Sequence, residues 1–473
     1  MTTTGKTRTE HDSMGDMQVP ADAYYGASTM RAVLNFPISD LRFPREFNQA
    51  LATIKLVAAQ VNVELGLLDR RKGEAIVKAA QEVVDGKFEE HFVVDIFQTG
   101  SGTSTNMNAN EVIANRAAEL LGSPRGTRGP VHPNDHVNLG QSSNDVIPTA
   151  IHLAAAKAIQ DDLIPALMEL QAVMEEKSRE FMPIIKTGRT HLQDATPIRL
   201  GQEFLGYAGQ AERGIARLRH ALDELGEVAL GGTAVGTGVN THPEFAARCC
   251  RRLSRRMGIK VRETTNHFQA QNTLDNMVAS SGEVKTVAVS LIKIANDLRW
   301  IGSGPRAGIG EIALPEVQPG SSIMPGKVNP VIPESVCQVC AQVIGNDAAI
   351  TIAGQSGNFE INVMMPVAAY NLLQSIKLLA SVTRNFVQQC LRGVTATTKG
   401  PDMVEKGLAI CTGLVPAIGY DRSAKIAQEA QRTGKTIREV AQERTDLTAA
   451  ELDKLLDPAA MTEPGLTGAP AGG

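Results

Sequence analysis

Apolar side chains return at helical intervals over long stretches, and this repeat limits what the chain can become. Ile159, Leu163, Leu167, Leu170 and Met174 recur in steps of four, four, three and four, which lines one face of a helix. Pro165 interrupts the stripe. The helix therefore either kinks there or gives way to a second one, because proline has no N–H and its ring crowds the preceding turn. A second stripe, Val284, Val287, Leu291, Ile294 and Leu298, steps by three, four, three and four, the spacing of helices packed nearly parallel. Few segments alternate as half-buried strands would, and the aromatic content of 4% is low for a sheet protein. The expectation is a mainly all-α protein with loops at Thr99–Asn108, Gly231–Asn240 and Gly302–Gly310, where glycine interrupts the helical pattern, and with no internal repeat. Met461–Gly473, rich in Gly, Pro and Ala, offers little for a core and is expected to be disordered.

Charge narrows the partners. With 47 basic and 51 acidic side chains in 473 residues, the net charge of −4 gives no global reason to bind nucleic acid or an anionic membrane. The first residues lack the apolar stretch of a secretory signal, and Glu10 and Asp12 are out of place in a transit peptide, so a cytoplasmic location is expected. No run is expected to span a membrane, which takes about 18–20 apolar residues. Six cysteines show no disulfide framework. Cys337 and Cys340 form a CxxC, but it lies in an apolar helical pattern with Val336, Val339 and Val343, which favours core packing over zinc or redox use.

Chemistry concentrates in the run Gly320-Ser321-Ser322-Ile323-Met324-Pro325-Gly326-Lys327-Val328-Asn329-Pro330. Prolines and glycines at this density oppose helix and strand, leaving hydroxyls, an ammonium, an amide and free backbone N–H groups to surround an anion. An ordinary surface loop collects the same residue types. A nucleotide-binding P-loop is excluded, since five residues separate Gly320 from Gly326-Lys327 and Val328 stands where Ser or Thr would hold magnesium.

Four other segments set small polar residues beside glycine. Gln98–Ser104 lacks the third glycine of a dinucleotide fingerprint, Thr105 standing in its place. His132-Pro133-Asn134-Asp135-His136-Val137-Asn138, followed by Gln141-Ser142-Ser143-Asn144-Asp145, admits either a metal site or N-capping of a helix expected after Pro148, and residue types favour capping. Gly188–Ala195 places His191, a group that titrates near neutral pH, among Thr190, Gln193 and Asp194, although a lone histidine is more often structural. Gly231–Gly238 reads as a tight connection without chemistry.

The eleven-residue run resembles the GSSxMPxKxN signature of the fumarase/aspartase superfamily, and all five segments match that superfamily in order across roughly residues 8 to 460. The resemblance implies addition or removal of a small molecule across the double bond of a dicarboxylate. It implies Ser321 as catalytic base, His191 as handler of the leaving water, and Glu334 as the acid that pairs with His191. Ser101, Gly102, Thr103, Ser142, Ser143, Asn144, Thr190, Ser322, Lys327 and Asn329 match substrate contacts, and His132, Pro133, Asn134 and Asp135 match an accessory dicarboxylate site. Residue chemistry alone would choose His191 as base, because a serine hydroxyl is weakly basic unless Lys327 and loop amides stabilise its alkoxide. No metal or organic cofactor is suggested.

Within the superfamily, SGT at Ser101–Thr103, QSSND at Gln141–Asp145 and GGTAVGT at Gly231–Thr237 resemble fumarases more than aspartate ammonia-lyases, and His191 agrees. Asn266-His267-Phe268-Gln269-Ala270 departs from the fumarase pattern NKFEA by losing the acid at Gln269. Hydration of fumarate to (S)-malate is the expected reaction, ammonia addition the alternative, and a silent structural homologue a remote one, since Ser321, Lys327, His191 and Glu334 are all present. The implied architecture is an N-terminal region 1–140, a central long-helix bundle 141–395 and a small helical region 396–473. Four such chains would form a twenty-helix homotetramer core, with each active site drawn from three chains.

Overall fold

The computed structural model describes residues 6–465. Among them are seventeen α-helices and five two-stranded sheets, a mainly α protein. Two compact units form, each discontinuous in sequence. One holds the chain up to Ala166 with Gly214–Val289 and Val339–Ser381, the other Leu167–Arg213, Ser290–Gln338 and the chain from Val382 onward.

In the first unit, helices Arg45–Glu64, Arg70–Val84, Thr103–Leu120 and Ser143–Ala158 pack together, with Phe245–Met257 also against the first of them. Pro44 opens Arg45–Glu64, and the Asp69 carboxylate caps Arg70–Val84 by accepting from Lys72 N. Phe47, Leu51, Ile54 and Leu56 are buried almost completely. At the Pro165 stripe, Ser143–Ala158 passes through a π-turn, Ile159–Leu163, into Ile164–Phe181 without leaving right-handed helical angles. The widened turn lies just before the proline, where the ring would otherwise meet the preceding carbonyls.

The second unit contains a β-hairpin, Ile185–Thr190 with Gln193–Arg199, that alternation did not reveal. Its inward positions include Lys186 and Thr187, so polarity hides the strand. The C-terminal helices Tyr420–Thr433, Ile437–Arg444 and Ala449–Leu455 gather around Leu414, Ile426, Val440, Leu452 and Leu456, the last two helices starting with reciprocal capping boxes at Thr436/Glu439 and Thr448/Glu451. Met461 packs against this cluster, and Thr462 O accepts from Gln202 Nε2 at 2.9 Å. Met461 and Thr462 are thus packed against the fold, contrary to expectation, and 466–473 lie outside the described residues.

The Val284–Leu298 stripe is the buried face of helix Asp275–Ile301, each of its five residues 2% exposed or less. Gly231–Asn240 and Gly302–Gly310 are loops as expected, but Thr103–Asn108 is already helix. Helix Val331–Gly354, with mean hydropathy 1.3 in its most apolar window, is long and apolar enough to cross a membrane, which corrects the expectation that no run would be. Its polar residues are used inside the protein. Asp347 accepts from Ser281 Oγ at 2.7 Å and Lys285 Nζ at 2.6 Å, and Asn346 donates to Ser375 Oγ at 3.0 Å. These are the contacts of a helix packed against protein helices. All six cysteines are free thiols, Cys337 and Cys340 one helical turn apart on this same helix.

Candidate active site

The first unit brings together two polar segments forty residues apart. Gly102 adopts left-handed angles, φ 73°, and so turns the chain from Ser101 into helix Thr103–Leu120. Ser142 caps helix Ser143–Ala158, its N–H returning to Asp145 Oδ1 at 2.9 Å. The helix therefore starts at Ser143, ahead of Pro148, because the cap supplies the acceptors that its first turn needs. Ser101 Oγ lies 2.9 Å from Thr103 Oγ1, which lies 2.8 Å from Ser143 Oγ. Asn144 Nδ2 donates to Ala234 O at 2.7 Å. A short row of hydroxyls thus sits across two helix N-termini, where backbone N–H groups and the helix dipole favour negative charge.

Beneath this row lies a residue that motif reading passed over. Asp145 is fully buried, and its Oδ2 accepts from Gly231 N and Thr233 N at 3.0 Å each. Burial pushes its carboxyl above the ordinary range, against the pull of the backbone donors and of Lys55. It fastens the glycine-rich connection, to which the sequence assigned no chemistry, beneath Ser142–Asn144.

His132 to Asp135 forms a separate turn. His132 Nδ1 accepts from Asn134 N and Asp135 N at 3.2 Å, and Asp135 Oδ2 stands 3.4 Å from the same nitrogen. Pro133 is buried, while Asn134 and Asp135 are exposed. The histidine is itself a cap here, of the turn Pro133–Val137, whereas the capping expected from these residue types falls to Ser142 and Asp145 on the next helix. Among the described residues no group of three or more His, Cys, Asp or Glu is arranged to hold a metal ion.

In the second unit the signature run is an irregular loop closed at its neck. Gly320 N donates to Lys327 O at 2.9 Å, and Asn329 Nδ2 donates to Gly320 O at 2.6 Å. Between them Pro325 and Gly326, φ 76°, make a turn closed by Lys327 N and Met324 O at 3.3 Å. Proline followed by a left-handed glycine is the pattern of a type II turn. Ser321 Oγ accepts from Met324 N at 2.9 Å and Ile323 N at 3.3 Å, while the Lys327 ammonium makes no hydrogen bond to it. Ser322 and Lys327 are exposed. Lys327, Asn329 and Glu334 line a cavity of about 750 Å³ that also holds Trp300 and Lys399, and Ser321 and Lys327 line another of about 410 Å³.

His191 occupies the tip of the hairpin, exposed, with φ 55°. Behind it Arg189 Nη2 meets Glu311 Oε1 at 2.8 Å, and the buried Lys186 Nζ lies 2.7 Å from Glu203 Oε1 and 3.0 Å from Glu311 Oε2. This charged cluster fixes the strand that carries Thr190 and His191. Glu334 sits in the first turn of Val331–Gly354, and neither a hydrogen bond nor an ion pair joins it to His191 within one chain.

The model of the Lyase family matches residues 15–345, and that of the fumarase C C-terminus matches residues 410–463. The chain is 52% identical to fumarate hydratase class II 2 of Bradyrhizobium diazoefficiens over 460 residues, covering 97% of each. It is 54% identical to fumarate hydratase class II of Halobacterium salinarum, covering 97% of this chain and 98% of that one. The structure of recombinant class II fumarase from Schistosoma mansoni superimposes with a TM-score of 0.94 at 40% identity, covering 97% of this chain and 99% of that one. With relatives half identical along nearly their whole length and the same helical architecture, the chain belongs to the class II fumarate hydratases of the lyase family.

Proposed function

We propose that this enzyme is a hydro-lyase that interconverts fumarate and (S)-malate by anti addition of water. In the dehydration direction Ser321 Oγ, as alkoxide, removes the proton from the carbon beside one carboxylate. The electron pair moves into that carboxylate to give an aci-carboxylate, whose collapse expels the hydroxyl from the neighbouring carbon as water, with a proton from His191. Lys327, Asn329, Ser322 and the row Ser101, Gly102, Thr103, Ser142, Ser143, Asn144 and Thr190 hold the two carboxylates and the added negative charge.

The observation that carries this reading is the pair of loop amides on Ser321 Oγ. Hydrogen bonds to the charged form favour it, which addresses the weakness of serine as a base. Glu334 pairs with His191 across subunits of a homotetramer. Their separation within one chain supports this, as do the apolar side chains Val289, Trp300 and Ile352, each more than half exposed on long helices. The sequential regions 1–140, 141–395 and 396–473, the accessory site at His132–Asp135, the absence of a cofactor and a cytoplasmic setting belong to the same proposal, the last supported by six free thiols.

The test is fumarate absorbance with purified enzyme, with and without ammonia, and identification of the product. Malate formed at equal rates in both is the expected result. Aspartate formed only with ammonia would replace hydration by ammonia addition and make Ser101 and Gln269 the first positions to examine.

A further inference from the structure

Lys55 stands in the middle of helix Arg45–Glu64, between Ile54 and Leu56, with no exposed surface. Burying an ammonium is costly, and an apolar side chain of the same length would pack here without that cost. Stabilisation of the fold therefore does not account for it. Its Nζ donates to Asn138 Oδ1 at 2.8 Å, an oxygen that also receives Asn106 Nδ2 and Asn110 Nδ2, each at 3.2 Å, from helix Thr103–Leu120. Asn138 in turn donates from Nδ2 to Gln141 O at 3.0 Å, directly before Ser142. One buried cation thus holds, through a single amide, both segments whose hydroxyls meet at Thr103 and Ser143.

We propose that Lys55 is a positioning residue for substrate binding, setting the Ser142–Asn144 segment and the start of helix Thr103–Leu120 in register through Asn138. The inference rests on the site proposed above. Several elements pack on the helix of Lys55: Arg70–Val84, Thr103–Leu120, Ser143–Ala158, Phe245–Met257 and the turn Pro133–Val137. The charge they set against Lys55 is Asp145. Cys249, on Phe245–Met257, is kept a neutral thiol by burial. Burial also lowers the lysine pKa to about 7. The ammonium is therefore present below that pH and lost above it, and with it the charge-assisted bond to Asn138 Oδ1.

The experiment compares kcat and KM for fumarate across pH in the wild type, Lys55→Met and Asn138→Ala, with thermal melts of all three. Ser321 and His191 lie on other segments, so the expected result is a KM at least tenfold higher in both variants with kcat within threefold of wild type. Damage to the fold would instead lower the active fraction, reducing kcat and leaving KM alone. In the wild type KM should rise as pH climbs through about 7, and in Lys55→Met it should be flat over that range. If Lys55→Met does not fold, Asn138→Ala decides. An unmoved KM in the folded variants, or a loss confined to kcat, overturns the role of Lys55. A wild type that fails to hydrate fumarate overturns the reading of the reaction instead.

Discussion

Thr103 Oγ1 and Ser143 Oγ, forty residues apart in sequence, lie 2.8 Å apart at the starts of two different helices. Neither helix needs this contact to form. Ser143–Ala158 is capped by Ser142 and Asp145, and Thr103–Leu120 is entered through Gly102. The pair is instead set at two helix N-termini, where backbone N–H groups favour negative charge, as the proposed dicarboxylate site requires.

Ser321→Ala should lower kcat by about 10²–10⁴-fold, the usual contribution of a positioned proton-transfer group. The melting temperature should stay unchanged, because the loop is largely exposed and water can replace the lost acceptor. Steady-state kinetics with a parallel thermal melt checks both. A variant that keeps wild-type kcat removes Ser321 from the chemistry.

His191 and Ser321 are proposed to meet only between chains. Mixing Ser321→Ala with His191→Asn after subunit exchange should therefore restore activity that neither variant has alone. No recovery, with exchange verified, would place both groups in one protomer's site.

Glu311 is 3% exposed and faces both Lys186 and Arg189. Glu311→Gln should destabilise the protein by about 3 kcal/mol, since removing one partner leaves a buried cation uncompensated. It should also lower kcat by loosening the strand beneath His191. Denaturant melts and kinetics measure the two effects separately, and an unchanged midpoint would show that Glu203 alone satisfies Lys186.

His152 is buried, its Nδ1 donating to Glu227 O at 2.7 Å, and burial depresses its pKa to about 4. Below the unfolded value of about 6.5 the unfolded chain takes up a proton that the folded one refuses. Stability from this group is therefore present above pH 6.5 and lost as pH falls from there towards 4, by about 3 kcal/mol at most. His152→Gln should flatten that part of the stability profile. A slope identical to wild type would assign the acid sensitivity to other groups.

Much of this architecture is legible in the sequence where one physical cause acts alone. The Val284–Leu298 stripe announces its helix because burial on one face is all that shapes it, and the signature loop is irregular because Pro325 and Gly326 leave it no choice. Legibility fails where tertiary partners decide. Thr105 and Asn106 look like loop residues, yet they are helical because Gln98 and Asn138 satisfy their polar groups. The hairpin around His191 is hidden because Lys186 is its most buried side chain, neutralised by acids from distant segments. Asp145 is visible in the motif but its task is not, since its partners at Gly231 and Thr233 are fixed only by folding. Lys55 leaves one signal, a lone cation inside Ala52-Thr53-Ile54-Lys55-Leu56-Val57-Ala58.

The clasp between Gly320, Lys327 and Asn329 has a mechanical consequence. A strap buckled at its base is free to move only as one piece, so whatever freedom it has resides in the flanking residues and not along its length. Ser321 and Lys327 are thereby kept in one frame, so that in the proposed reaction the hydroxyl and the cation would meet a dianion together. Asn329→Ala would undo one of the two fastenings and leave Gly320 N to Lys327 O as the single tie, and the two groups would then hold their relation less often.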